Sequence, residues 1–162
     1  MKAREGDIIE TFDGNIFDIK GLIHPPRKVI AFIRFTPDPK GDRKREGLTY
    51  RKVYPLHERY ELLRKRFPQY LVYDQVFGEQ LCEVPIKTIR RYHAPIDHLR
   101  KLRQRKQLTQ LEIAALHFAD LLKETANVSW NAFGISGSLL VGLYTPKSDI
   151  DLIVYGSQNC YK

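Results

Sequence analysis

The sequence predicts an α+β protein, with a small antiparallel-sheet domain, a helical connector and then the beginning of an α/β domain. Short apolar runs flank Asp13-Gly14, a dipeptide typical of a tight β-hairpin turn. Residues 110–126 repeat apolar side chains at helical spacing behind a capping box, Thr109 with Glu112. After that helix the pattern indicates a strand, a glycine-serine turn, a short helix and a further strand.

The first part of the chain carries most of the predicted strands. They are expected over 5–12, 15–23, 28–35, 48–54 and 70–77, with extended or turning chain over 84–95. A helix is predicted over about 56–67 because apolar residues recur at helical spacing and Pro68 closes the run. Residues 36–47 are rich in proline, glycine and charge, so they are predicted to form a loop. The tyrosines of this part are expected in its core or at its rim, and they include Tyr50, Tyr54, Tyr60, Tyr70 and Tyr73.

The second part is predicted to be helical at first. A basic helix is expected over 96–106 and the main helix over 110–126, ended by Asn127. A strand over 128–135, a short helix over about 139–143 and a strand through Asp149 and Asp151 follow. The predicted domains are therefore 1–90, a connector over 91–126, and 127–162.

Composition excludes several classes of protein. The 162 residues are 43% hydrophobic and 28% charged, as expected of a globular chain and not of a disordered one. No apolar run approaches the roughly 20 residues of a membrane helix, and MKAREGDIIE lacks the apolar core of a signal peptide. We therefore expect a cytoplasmic protein without a membrane partner. Cys82 and Cys160 lie far apart in sequence and are predicted to be reduced thiols.

Positive charge is concentrated in the first two-thirds of the chain. The formal net charge is +8; residues 27–66 carry thirteen Lys/Arg against five Asp/Glu, and residues 87–106 carry eight against one. Residues 107–162 carry three against five. Such an excess favours a phosphate-rich partner, and the mixture of cations and an aromatic in 87–106 indicates contact with RNA there. A solvated basic surface is the alternative interpretation.

Two carboxylates one residue apart are the strongest chemical feature. In a strand, Asp149 and Asp151 project from one face, where they repel each other unless a cation lies between them. Magnesium prefers such oxygen ligands, and a pair of ions suits phosphoryl or nucleotidyl transfer. Upstream, Gly137 permits close approach of a phosphate, and Ser138 supplies a hydroxyl and an amide. Exposed acids and, for Ser138, a helix N-cap are the structural alternatives.

A strand, then Gly-Ser, then Asp-x-Asp and an apolar run together resemble the signature of a known family. GSLLVGLYTPKSDIDLIV (137–154) is similar to the motif of the DNA polymerase β-like nucleotidyltransferase superfamily: an apolar strand, Gly-Ser, about nine to thirteen residues, then Asp-h-Asp-h, where h is apolar. Ser-Asp-Ile-Asp-Leu is a common form of its second half. The resemblance is carried by residues 130–155, and the whole chain resembles archaeal proteins described as predicted nucleotidyltransferases.

The resemblance implies an activity and a set of site residues. Nucleoside monophosphate would pass from a nucleoside triphosphate to an acceptor hydroxyl, on RNA, a protein or a small molecule, with release of pyrophosphate. Asp149 and Asp151 would be catalytic and would hold two magnesium ions. Gly137 and Ser138, with Ser148, would contact the nucleotide.

One part of the family pattern is missing. The family uses a third carboxylate on a later strand, whereas no Asp or Glu follows Asp151. Earlier acids are expected to be solvated charges: Asp120, Glu124, Glu79 and Glu83. Two explanations stay open: a truncated form of a longer nucleotidyltransferase, or a natural short relative, inactive alone or completed by another protomer of a homodimer. A second class of function is also open, a non-catalytic module that binds nucleic acid or protein and carries a degenerate motif.

Overall fold

The computed structural model describes residues 2–162, which form two compact units divided between Tyr92 and His93. The chain is a mixed α+β protein with a curled antiparallel sheet, as the sequence predicted at this level of detail. Along the chain the elements are β1 (Ile8–Thr11), β2 (Ile16–Ile19), β3 (Lys28–Pro37), β4 (Arg43–Arg45), β5 (Leu48–Lys52), α1 (Leu56–Arg66), β6 (Leu71–Asp74), β7 (Glu79–Pro85), β8 (Ile89–His93), α2 (Pro95–Leu102), α3 (Gln110–Ala126), β9 (Phe133–Ile135), α4 (Gly137–Leu140), β10 (Leu152–Val154) and α5 (Ser157–Cys160). None of the helices within residues 2–162 combines the length and apolarity that a membrane-spanning segment needs.

The first unit is built around β3. Strands β1 and β2 form the predicted hairpin, and Gly14 takes a positive φ of 79° in its turn. β2 then pairs antiparallel with β3, whose first residues also pair with β7 and whose last residues pair with β5. β6 pairs with β7. β3 therefore pairs with three strands of the curled sheet.

The loop predicted over 36–47 was wrong in part, because β4 lies within it. Arg43, Lys44 and Arg45 pair with β5 across a turn in which Glu46 and Gly47 both have positive φ, at 50° and 79°. A two-residue turn of this hand matches the twist of the strands that it joins. The hairpin of β4 and β5 was not predicted because glutamate rarely takes a positive φ and three consecutive cations are not typical of a strand.

Apolar side chains from the sheet and α1 make the core of the first unit. Phe17, Ile33 and Leu63 are fully buried within it. Cys82 lies in the same cluster, and burial raises the pKa of its thiol to about 12. Both Cys82 and Cys160 are free cysteines, Cys82 buried and Cys160 exposed.

The second unit begins with the helices that the sequence predicted. α3 has the expected limits: Thr109 and Glu112 form the capping box, and Asn127 ends the helix in the left-handed region at φ 49°. The predicted basic helix over 96–106 starts at Pro95 and ends at Leu102. The strand predicted over 128–135 is shorter, because a 3-10 turn over Trp130–Ala132 leaves only Phe133–Ile135 for β9.

Gly134 allows α2 to pack directly on β9. A Cβ at this position would lie 2.6 Å from Pro95 Cβ and 2.9 Å from the Ile96 nitrogen, so no larger residue fits without moving backbone. The core of the unit forms around this contact, with Leu99, Leu102, Phe133 and other apolar side chains fully buried. Helices α2 and α3 both contribute to this core, so they belong to the compact unit that carries β9 and β10.

We expect the second unit to lose stability in mild acid through His98 on α2. Its Nε2 is buried without a hydrogen-bond partner among the described residues. Burial, reinforced by the Arg105 guanidinium, lowers the pKa of the imidazole to about 4. Because an unfolded histidine titrates near 6.5, protons favour the unfolded chain below that pH. The His98 contribution is complete above about pH 6.5 and is lost as the pH falls toward about 4.

Urea unfolding followed by the fluorescence of Trp130, the single tryptophan, tests this expectation in the second unit. His98→Gln should lose less stability than the unsubstituted chain over the same pH range. The matched control is His117→Gln, at an exposed position on α3, which should follow the unsubstituted chain. An equally steep acid loss in His98→Gln would show that another group causes it.

Candidate functional site

The glycine-serine turn joins β9 to α4. β9 ends at Ile135, Ser136 is the N-cap residue of α4, and Gly137 is its first residue, at φ 63°. The helix predicted over about 139–143 therefore starts and ends earlier, at Gly137–Leu140. Ser138 is buried at the second helical position, so the alternative interpretation of Ser138 as the N-cap was wrong by two residues.

The two aspartates lie just before β10 and not within it. Leu152 is the first residue of the β10 ladder and pairs with Ile135, the last residue of β9. Beyond Ile135 the neighbouring chain turns into α4, so no strand remains opposite Asp149. The strand predicted through both aspartates was therefore wrong at its start, although the Ser136 N–H still donates to the Asp151 carbonyl at 2.7 Å.

Both carboxylates face away from the core. Ile150, Leu152 and Val154 pack against the core cluster of the second unit. The alternating side chains of Asp149 and Asp151 are exposed, as the i, i+2 spacing predicted. No side chain within residues 2–162 forms an ion pair with either carboxylate. They are therefore a pair of oxygen donors open to a hard cation, which fits the chemistry that magnesium requires.

Gly137 and Asp151 are in direct contact. A Cβ built on Gly137 would lie 1.7 Å from Asp151 Oδ2 and 2.8 Å from its Cγ, so the carboxylate occupies the space that any side chain at 137 would need. The positive φ of Gly137 imposes the same restriction independently. Gly137 and Asp151 are fourteen positions apart in the sequence, and the fold places the backbone of the turn against the Asp151 carboxylate.

Ser148 shapes the loop that leads to the aspartates. The Thr145 N–H donates to its Oγ at 2.9 Å, and the Ser148 N–H donates to the Thr145 carbonyl at 2.9 Å. This pair of bonds closes the turn through Pro146 and Lys147 and fixes the direction in which the chain reaches Asp149. The structure thus gives Ser148 a positioning role, and its predicted contact with a nucleotide stays a prediction.

The four earlier acids differ in their burial and in their partners. Glu83 is buried in the first unit and pairs with Lys28 at 2.7 Å, while Glu124 on α3 pairs with Lys123. The expectation that Glu83 is a solvated charge was therefore wrong, because an ion pair compensates its burial. Asp120 is exposed on α3, as expected, and Glu79 is exposed at the start of β7. Residues 2–162 contain no group of three or more acidic, histidine or cysteine side chains placed to hold a metal ion.

Most arginines of the basic stretch 87–106 have partners. Arg91 pairs with Glu46 at 2.8 Å, Arg100 with Asp97 at 3.1 Å, and Arg105 with Glu112 at 2.8 Å. The Arg103 guanidinium lies over Trp130, with its Cζ 3.9 Å from the ring centroid. These contacts occupy cations of the stretch that was predicted to contact RNA, and the stretch is divided between the two units at Tyr92.

Comparisons with known proteins give one relative and no established activity. No protein-family model matches the chain, and no solved structure matches it. An uncharacterized protein of Methanocaldococcus jannaschii is 31% identical over 165 residues, in a match that covers 96% of this chain and 48% of the relative. The chain therefore spans about half the length of the curated relative that it matches.

Proposed function

We propose that the second unit carries the metal- and triphosphate-binding part of a nucleotidyltransferase site. The contact between Gly137 and the Asp151 carboxylate is the observation that carries this proposal. It joins the two halves of the polymerase β-like signature, Gly-Ser and Asp-x-Asp, at one place. A pair of surface acids without a function would not need to fill the space beside the glycine that begins α4.

Each of the four residues has a role in such a site. Asp149 and Asp151 hold the cation through carboxylate oxygens on their exposed face. Gly137 lets phosphate oxygens approach the backbone, and the amides of Gly137 and Ser138, which lie in the first turn of α4, donate to them. Bound magnesium supplies positive charge that neutralises the triphosphate and the leaving pyrophosphate.

The proposed reaction is transfer of a nucleoside monophosphate to an acceptor hydroxyl. The acceptor hydroxyl loses its proton to solvent as its oxygen forms a bond to the α-phosphorus, the bond between that phosphorus and the bridging oxygen breaks, and pyrophosphate leaves. Two of the three carboxylates that the family uses are assigned in this chain. Nucleotide binding, which needs only those two and the turn, is therefore the direct test of the proposal.

Magnesium-dependent binding of a fluorescent nucleoside triphosphate should depend on both aspartates. Each of ATP, CTP, GTP and UTP analogues is titrated with the 162-residue chain, in magnesium and again in excess chelator. Asp149→Asn and Asp151→Asn should each weaken binding by about tenfold or more, because each removes a charged ligand while keeping the size of the side chain. The matched control is Asp120→Asn, at an exposed carboxylate on α3 of the same unit, which should bind like the unsubstituted chain.

Unchanged binding in both site variants would contradict the assignment of the metal ligands. Binding that persists in chelator would show a nucleotide site that works without the cation, and would also contradict it. If no nucleotide binds in any condition, the alternative of a non-catalytic module with a degenerate motif is favoured.

A further inference from the structure

A tight turn before β3 contains an arginine in an unfavourable backbone conformation. The Lys28 N–H donates to the Pro25 carbonyl at 3.1 Å and closes a four-residue turn, in which Pro26 is second and Arg27 third. Arg27 has a φ of 61°. Turns with proline second and a positive φ third usually take glycine or asparagine at the third position, because most L side chains strain the backbone there. Arginine is therefore not the residue that this turn favours.

The other non-glycine residues with positive φ within residues 2–162 are explained by the fold. Asn127 ends α3, where asparagine is a known alternative to glycine. Glu46 lies in the turn between β4 and β5, and its carboxylate pairs with Arg91 at 2.8 Å. The Arg27 side chain, by contrast, forms no hydrogen bond, ion pair or ring contact with residues 2–162. A strained residue whose side chain the fold does not use indicates a role in binding.

Arg27 lines a cleft of about 600 Å³ between this turn and the end of β7. The Ile86 N–H donates to the Arg27 carbonyl at 3.0 Å, and Lys28 is paired in register with Pro85, so backbone contacts hold the two walls together. A cleft of this volume is of the size that binds small molecules. The described residues that line it come from both walls: Pro26, Arg27, Lys28, Pro85, Ile86 and Lys87.

Two cations of the cleft are uncompensated. Lys28 Nζ pairs with the buried Glu83 carboxylate at 2.7 Å, so this pair adds no net charge. Arg27 and Lys87 are both exposed, and neither forms an ion pair with an acid of the described chain. The described lining residues include no acid. The cleft therefore offers two positive charges to an anion.

We propose that this cleft binds an organic phosphate monoester. Arg27 and Lys87 contact the phosphate, and the apolar side chains of Pro26, Pro85 and Ile86 contact the organic group. A phosphate monoester carries a charge of about −1.5 to −2 at pH 7, so it matches two free cations better than a single carboxylate does. The planar Arg27 guanidinium can donate two parallel hydrogen bonds to phosphate oxygens, and the Lys87 ammonium adds a point charge.

A ¹H–¹⁵N NMR titration with phenyl phosphate, in excess chelator, tests the site. Phenyl phosphate should shift the amide signals of Arg27, Lys28, Ile86 and Lys87. It should bind about tenfold more tightly than inorganic phosphate, which lacks the apolar group, and than benzoate, which carries one charge. Unshifted signals at these four amides, or equal affinity for the three ligands, would overturn the proposal.

Variants of the second cation test its contact with the phosphate. Lys87→Gln should weaken phenyl phosphate binding by about tenfold, because it removes one of the two charges. The matched control is Lys65→Gln, at an exposed lysine on α1 of the same unit, which should bind like the unsubstituted chain. Equal affinity of Lys87→Gln and Lys65→Gln would contradict the assignment of Lys87.

Arg27→Gly separates binding from folding. Glycine accepts a positive φ without strain, so this variant should unfold at the same or a higher urea concentration than the unsubstituted chain, as followed by circular dichroism. It should nevertheless bind phenyl phosphate about tenfold more weakly, because the guanidinium is lost. A purely structural role for Arg27 predicts the opposite, a loss of stability with binding intact, and that result would overturn the proposal.

Two further titrations exclude other sources of binding. An oligouridylate of about 12 nucleotides without a terminal phosphate should compete poorly, and competition equal to that of phenyl phosphate would show that the cleft recognises charge alone. Asp151→Asn, in the second unit, should bind phenyl phosphate like the unsubstituted chain. Because the titration contains no magnesium and the cleft lies in the first unit, its failure would leave the proposed nucleotide site untouched, and the reverse also holds.

Discussion

Replacement of Glu10 by glutamine is expected to lower the free energy of unfolding by about 3 kcal/mol. The Glu10 side chain is 2% exposed in β1, and its Oε2 lies 2.8 Å from Arg45 Nη2 and 3.9 Å from Arg91 Nη1. The Arg45 side chain is only 12% exposed. Glutamine keeps the shape of the side chain but removes the negative charge that faces the buried Arg45 guanidinium, and removal of one partner from a buried ion pair is strongly destabilising.

Urea unfolding followed by far-ultraviolet circular dichroism measures this loss. The matched control is Glu46→Gln, because Glu46 also pairs with Arg91 but its side chain is 57% exposed. Solvent screens that pair, so the control should change stability little. A loss in Glu10→Gln no larger than in Glu46→Gln would show that burial of the pair is unimportant. A double variant, Glu10→Leu with Arg45→Met, should recover much of the loss, since it removes both charges together.

The same ion pair shows why β4 was missed from the sequence. Arg43, Lys44 and Arg45 are typical of a solvated loop when only their neighbours in sequence are considered. Arg45 belongs in a strand because its charge is compensated by Glu10, thirty-five residues earlier. Its guanidinium also lies 5.5 Å from the ring centroid of the buried Tyr50. Partners so distant in sequence leave no periodic signal.

The limits of α3, unlike those of β4, were predicted from the sequence. Its limits were predicted because the signals that set them are local: Thr109 accepts from the Glu112 amide, the Glu112 carboxylate accepts from the Thr109 amide, and Asn127 takes the left-handed conformation. Each interaction is complete within four residues, so the sequence contains all that it needs. The start of β10 was not predicted, because it depends on where its partner β9 ends.

The sequence of the basic stretch 87–106 likewise does not show which of its cations are available to a partner. Its excess of cations is a property of the sequence, but the availability of each cation depends on its partner in the fold. Arg91 reaches Glu46, forty-five residues away, and Arg103 lies over Trp130.

The order of the site residues in the sequence can be compared with one contact in the structure. A strand, Gly-Ser and Asp-x-Asp indicated that Gly137 and the aspartates share a site, and the contact between Gly137 and Asp151 agrees with that grouping. The contact itself could not be predicted. It depends on the antiparallel register of Leu152 with Ile135, which carries Asp151 past the end of β9 to the first residue of α4.

Gly137→Ala is expected to abolish most magnesium-dependent nucleotide binding, with a loss of about 100-fold. The new methyl group would occupy the position of Asp151 Oδ2, 1.7 Å away, so the carboxylate must move. The left-handed backbone at this residue also destabilises the alanine variant by about 1–2 kcal/mol. Titration of a fluorescent nucleoside triphosphate in magnesium measures the loss of binding, and urea unfolding followed by Trp130 fluorescence measures the loss of stability.

Two further variants separate backbone strain from displacement of the carboxylate. Gly156→Ala places alanine at φ 91° in the same unit, where its nearest neighbour is the end of the flexible Asn159 side chain at 3.1 Å. It should lose stability through strain and keep nucleotide binding. Gly137→Ala combined with Asp151→Ala removes the carboxylate that the methyl group displaces, so it should be more stable than Gly137→Ala alone and still fail to bind. Nucleotide binding by Gly137→Ala at the unsubstituted affinity would mean that the Asp151 carboxylate beside Gly137 plays no part in it.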